Sequence, residues 1–115
     1  MQIKLLVIRT ANPEYLAKFY SILGLIFECH KHGNSPYHYS ALIRETVLEI
    51  YPLTKTQHEA DKTLRLGIAI DNFDEIIRLL KEQNIPFIAE PAQTDFGFLA
   101  IVEDPDGRKI ELYKQ

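Results

Sequence analysis

One arrangement of residues is written twice along this chain. Val47-Leu48-Glu49-Ile50-Tyr51 is answered by Lys109-Ile110-Glu111-Leu112-Tyr113, and Leu5-Leu6-Val7-Ile8 by Arg65-Leu66-Gly67-Ile68. Within 115 residues two unrelated cores would each be too small to hold together, so the repeat predicts one domain built from two like modules.

The hydrophobic pattern gives each module the same order of elements. Ile3 to Ile8 reads as a buried strand. Asn12 offers an N-cap, Pro13 the first helical position, and Leu16, Phe19, Tyr20 and Leu23 an apolar face before the stop at Gly24. Leu25 to Cys29, Tyr37 to Ile43 and Thr46 to Tyr51 read as strands, the last two joined at Arg44-Glu45. A polar stretch over 53–62 reads as a linker. A strand over Leu64 to Ile70 follows, then a helix capped by Asp71 or Asn72, with Phe73, Ile76, Ile77 and Leu80 on its apolar face and a stop at Asn84. Ile85 to Ala89 is a strand, Pro91 to Asp95 a loop, and Phe98 to Val102 and Lys109 to Tyr113 are strands around the Asp104-Pro105-Asp106-Gly107 turn. The prediction is an α+β chain of two βαβββ modules, about 1–52 and 63–115, in a single domain over 1–115.

Strand alternation separates two faces. Leu6, Ile8, Leu48, Ile50, Leu66, Ile68, Ile70, Ile110 and Leu112 form an apolar face for the helices to cover. Leu5, Val7, Arg9, Val47, Glu49, Tyr51, Arg65, Gly67, Ala69, Lys109, Glu111 and Tyr113 form the other. A face carrying two Glu, two Arg, a Lys and two Tyr is richer in chemistry than a purely structural sheet needs.

Several function classes are excluded by what the chain lacks. A net charge of −3 offers no basic stripe for nucleic acid or an anionic membrane surface. The single Cys29 forms no internal disulfide and reads as a small core residue. No apolar run reaches the roughly 20 residues of a membrane span, and the N-terminus lacks the pattern of a signal peptide, so a cytoplasmic setting is expected. No phosphate loop, nucleophile elbow or dinucleotide fingerprint is present. His30 and His32 lie two apart, which on an extended strand places both on one face, and His38 on the next strand can join them. Their place beside the Gly33-Asn34 turn reads as a solvated strand end, and His58 reads as linker surface.

Two stretches carry a family likeness. Leu6-Val7-Ile8-Arg9, Asn12, Phe19-Tyr20 and Leu23-Gly24-Leu25 resemble the opening strand, helix and Leu-Gly turn of glyoxalase-like proteins. Val102-Glu103-Asp104-Pro105-Asp106-Gly107-Arg108-Lys109-Ile110-Glu111-Leu112 resembles their closing hairpin. The chain thus resembles the vicinal-oxygen-chelate superfamily, which includes glyoxalase I, bleomycin-resistance proteins and extradiol dioxygenases. The resemblance implies mixed sheets that curl into an open cup with helices outside, and a homodimer in which paired chains complete each cup. Asp104 and Asp106 are expected to shape the hairpin and not to bind a ligand.

The same resemblance locates the positions that decide the chemistry. Metal ligands in the superfamily stand on the first and last strand of each module, here at Leu5, Glu49, Arg65 and Glu111. Leu5 has no ligand atom, and Arg65 is a cation that cannot lose its proton. Arg65 is therefore expected to offset the carboxylates by bonding Glu111, Glu49 or both, in place of a metal. Arg9 matches an arginine that holds the glutathione carboxylate in glyoxalase-I-like proteins. The expectation is a small-molecule-binding protein without a metal or other cofactor, with Arg9, Arg65 and Lys109 as anion contacts and Tyr51 and Tyr113 as stacking walls. The alternatives are a divalent-metal-dependent lyase or isomerase of the lactoylglutathione lyase type, with Glu49 and Glu111 as ligands, and a metal-free enzyme using Glu49 or Glu111 as catalytic base.

Overall fold

The computed structural model describes residues 1–115. The chain runs β1 (Leu5–Thr10), α1 (Pro13–Ile22), β2 (Glu28–His30), β3 (His38–Ile43), β4 (Thr46–Pro52), β5 (Leu66–Ile70), α2 (Phe73–Glu82), β6 (Phe87–Thr94), β7 (Gly97–Glu103) and β8 (Lys109–Lys114). It divides into two compact units, one of Met1–Ser21 with Leu25–Asp61 and one of Ile22–Gly24 with Lys62–Gln115. Each unit owns an open four-stranded sheet, ordered β1-β4-β3-β2 in the first and β5-β8-β7-β6 in the second. No helix is long and apolar enough to cross a membrane.

The first unit shows why its sequence takes this path. β1 pairs parallel with β4, a geometry that needs a crossover, and α1 supplies it. The Asn12 side-chain oxygen accepts the Tyr15 amide at 3.1 Å, capping α1 as the sequence predicts. Gly24, at φ 112°, stops the helix where a side chain would be strained. β2, β3 and β4 then return as an antiparallel meander that brings β4 back beside β1. Ile8, Ala41, Leu48 and Ile50 are buried on the helix side of this sheet, and Leu16, Ala17, Phe19 and Tyr20 on α1. On that side the Tyr39 phenol lies near Cys29 and Glu14; burial, then those two neighbours, raises its pKa above the usual value.

The second unit repeats the plan. Ile76, Ile77 and Leu80 of α2 are buried, and Phe73 meets Phe98 of β7 edge to face at 5.7 Å. Asn84 ends α2 at φ 58°, its amide bonded to the Lys81 carbonyl and the Ile85 amide to the Leu80 carbonyl. Asn72 stands at the N-cap, but in the left-handed region and without a side-chain cap bond.

Four local expectations are corrected. β1 begins and ends two residues later than hydrophobicity predicts, because the ladder to β4 runs from Leu5 to Thr10 and leaves Ile3 69% exposed. β2 is confined to Glu28–His30, the residues that find partners on β3. The segment predicted as a loop, Pro91 to Asp95, is mostly strand: β6 continues to Thr94, and register shifts between Phe87 and Ala92 absorb a proline that cannot donate to the ladder. Cys29 is exposed and not in the core, since it lies on a three-residue edge strand.

Candidate functional site on the open sheet faces

In the first unit, register puts Arg9 opposite Tyr51, Val7 opposite Glu49, Ser40 opposite Glu49, and His30 opposite His38. Partners across a ladder share a face, so these residues project from one side of the sheet. That side carries a stacked row. The His38 and Tyr51 rings lie parallel, 4.2 Å apart and 6° from coplanar, and the Arg9 guanidinium lies 5.1 Å from the Tyr51 centroid. Arg9 also donates to the Pro52 carbonyl at 3.0 Å, which holds it along the sheet, half-buried. Leu5, Val7 and Leu42 are exposed on the same face and make its apolar end.

His38 is fully buried. Its Nδ1 lies 3.2 Å from the Pro36 carbonyl oxygen, and its Nε2 lies 3.5 Å from Glu49 Oε2 without forming a hydrogen bond. Sequence reading set His38 beside His30 and His32 but did not connect it to Glu49 and Tyr51. The signal was available in the alternation of β3, which places His38 and Ser40 on the face that β4 gives to Tyr51 and Glu49. His58 is exposed, as expected of linker surface.

In the second unit the equivalent glutamate is engaged at both oxygens. Arg65 donates to Glu111 Oε2 at 2.7 Å, and the Tyr113 hydroxyl donates to Glu111 Oε1 at 2.8 Å. The bond to Glu111, more than burial, raises the Tyr113 phenol above its usual pKa, because ionising it would set an anion against the carboxylate. Gly67, paired with Glu111, leaves the space Tyr113 fills: a Cβ there would stand 3.2 Å from Tyr113 Cε1. Lys109 is exposed, opposite Glu103, and forms no part of the Arg65–Glu111–Tyr113 group.

Arg108 carries weight that sequence reading missed. It is 1% exposed as a side chain, and its guanidinium donates to Asp104 at 3.1 Å and Asp106 at 2.7 Å. Asp104 Oδ1 also accepts the amides of Asp106 and Arg108. The two aspartates do shape the hairpin, and they do so around a buried cation.

The four positions suited by resemblance to a divalent ion do not fit one. Leu5 is an exposed hydrocarbon, and Arg65 fills the place of a ligand with a positive charge bonded to Glu111. No three His, Cys, Asp or Glu side chains are arranged, as they stand, to hold a metal ion. A shallow cavity of about 400 Å³ lies elsewhere, lined by Ile70, Asp71, Asn72, Asp74 and Lys114 among others at the start of α2. Ile70 and Lys114 alternate with Ala69 and Tyr113, so this cavity is on the helix side of its sheet and not at Glu111.

Comparison with known proteins agrees with this architecture. TnmS3, an antibiotic-binding protein from Streptomyces sp. CB03234, superposes with a TM-score of 0.79 at 22% identity, over 99% of this chain and 95% of that one. The oxidase ChaP-H2 superposes with a TM-score of 0.76 at 18% identity, over 100% and 94%. A possible glyoxalase from Bacillus cereus gives 0.69 at 23% identity, over 98% of each chain. No curated protein sequence matches. The model of the Glyoxalase/Bleomycin resistance protein/Dioxygenase superfamily matches residues 2–112, nearly the full length, and the chain belongs to that superfamily.

Proposed function

We propose that this protein binds a small organic ligand on the open faces of its sheets, and that it does so without a metal at the superfamily's usual positions. The observation that carries the reading is the state of Glu111: both carboxylate oxygens are taken by donors of its own unit, Arg65 and Tyr113. The guanidinium offsets the charge of this carboxylate and the phenol holds its second oxygen, so a divalent ion would have to compete with Arg65 for it. On the sheet of the first unit Tyr51, stacked and half-buried, offers a planar wall with Arg9 beside it; on the sheet of the second, Arg65 and Lys109 offer positive charge to an anionic group, with Tyr113 as the wall. That TnmS3, which shares the fold, is an antibiotic-binding protein supports a small-molecule ligand. We further propose that the chain acts as a homodimer, since Leu5, Val7 and Leu42 leave 54%, 39% and 64% of their surface open on one sheet face.

A second reading keeps Glu49 as a catalytic base, favoured by the contact of its carboxylate with His38 rather than with an arginine. A thermal-shift screen of planar, anion-bearing small molecules, with each hit then assayed for turnover, separates the two. Binding that survives chelator, weakens in Tyr51→Ala for a ligand on the first sheet or in Arg65→Ala for one on the second, and brings no turnover is the expected result. Conversion of a hit that disappears in Glu49→Gln would favour the base. Lyase activity that appears on adding zinc or nickel and is lost in Glu111→Gln would overturn the proposal. Sedimentation showing a monomer at tens of micromolar would remove the dimer.

A further inference from the structure

His38 poses a problem of lone pairs. A carbonyl oxygen can only accept, so at 3.2 Å from Pro36 the His38 Nδ1 must be the donor. In its neutral form the ring then presents a bare lone pair at Nε2, inside the protein, toward a Glu49 oxygen 3.5 Å away. Two acceptors facing each other, one of them buried, are unfavourable unless a proton on Nε2 or a metal ion lies between them.

Their separation suits a metal ion. Ligand atoms bound tetrahedrally at about 2.0–2.1 Å stand roughly 3.4 Å from one another, and the rings of two imidazoles on one such ion have centroids about 5 Å apart. His38 Nε2 and Glu49 Oε2 lie 3.5 Å apart, and the His30, His32 and His38 centroids are separated by 5.7, 5.9 and 5.4 Å. The bond from His38 Nδ1 to a backbone carbonyl fixes the tautomer, as it does for a metal-bound histidine. Glu28, 3.3 Å from His30 Nε2, can hold that N–H and leave His30 Nδ1 for an ion.

We propose that His38 and Glu49 form one preset half of a transition-metal site, and that His30 and His32 close it by ring rotation. His38 is locked by its stack on Tyr51, whereas the His30 side chain is 34% exposed and His32 is exposed, so the two rings that must turn are the two that solvent reaches. Imidazoles with one carboxylate select zinc, nickel or copper over magnesium or calcium. The site lies within the first unit; of the four positions at which the superfamily places its metal ligands it uses Glu49 alone, with histidines of β2, β3 and the turn between them in place of Leu5, Arg65 and Glu111.

The test titrates chelator-stripped, tag-free protein with zinc by calorimetry, and with cobalt by visible absorption, which reports tetrahedral geometry. One zinc per chain is expected, at a Kd in the micromolar range or tighter. His30→Ala and His32→Ala, both at open positions, should each weaken binding at least about tenfold. Glu111→Gln and Arg65→Ala should leave it unchanged. Absence of binding at 100 µM zinc, binding retained in the His30→Ala/His32→Ala double variant, or binding lost in Glu111→Gln would each overturn the proposal. His38→Gln is a supplementary variant because that position is buried; the two open histidines decide the matter whether or not it folds.

Discussion

Replacing Arg108 by Met should cost this protein about 3 kcal/mol of stability, although the residue is far in sequence from Glu49 and stands in a turn. Removing one partner of a buried ion pair generally costs about 3–5 kcal/mol, because the charge left behind is neither solvated nor paired. Here the Arg108 and Asp104 side chains are 1% and 0% exposed, which puts the pair in that regime. Two features hold the cost to the lower end. Asp104 Oδ1 keeps its two backbone amides, and the Asp106 side chain is 16% exposed and can regain water. Against a typical domain stability of about 5–15 kcal/mol the loss is large, and for a chain of this length it lowers Tm by about 12 °C. Urea unfolding followed by circular dichroism measures it directly, with an unchanged m-value showing that the same surface is exposed on unfolding. Asp104→Asn added to Arg108→Met should recover part of the loss, since the fully buried one of the two carboxylates that faced the guanidinium is then neutral. A loss below about 1 kcal/mol at constant m would refute the reasoning: the desolvation cost of the pair would then equal what it contributes.

The pair on the open face should behave differently. Arg65→Ala should cost less than about 1 kcal/mol, because the Arg65 side chain is 51% exposed and solvent screens its bond to Glu111; thermal unfolding at low and high salt checks this. Tyr113 should titrate above the usual tyrosine range. Its folded pKa is raised, so its contribution is complete below the unfolded value near 10 and is lost as pH rises through the folded value; Tyr113→Phe should flatten that part of the fall in stability above about pH 10. A phenolate absorbance titration in which Tyr113→Phe removes a component of ordinary pKa would contradict this. Leu48→Ala, at a fully buried position beneath Glu49, should destabilise by about 2–5 kcal/mol, and a value under 1 in urea unfolding would mean that the sheet collapses around the gap. Gly67→Ala should shift the Tyr113 ring by a few tenths of an ångström and weaken ligand binding with little change in Tm; unchanged affinity would separate Tyr113 from the ligand.

The sequence was most legible where one face of an element is buried. Period-2 alternation in Leu48, Ile50, Ile110 and Leu112 assigned faces correctly, and helix punctuation at Asn12, Gly24 and Asn84 marked real ends. It was least legible where pairing depends on a distant strand. The length of β2 is set by β3, the start of β1 by β4, and the passage of β6 through Pro91 by register shifts that no local pattern announces. That Arg65 would answer Glu111, Glu49 or both followed from the family resemblance and the charges on one face; the choice of Glu111 came with the structure. The burial of His38 and Arg108 did not, because polar residues inside a protein are recognised by partners, and those partners came into view only with the ladders and the turn in place.

Because each sheet completes its hydrogen-bond ladder within its own half, the two glutamates occupy equivalent backbone addresses while keeping different company. Glu49 has an imidazole for a neighbour, and Glu111 has a guanidinium and a phenol. A residue exchanged on one sheet leaves the register of its sibling untouched. A chain built on a doubled plan can therefore try new chemistry on one copy while the other preserves the old, and evolution here has the means to revise one half at a time.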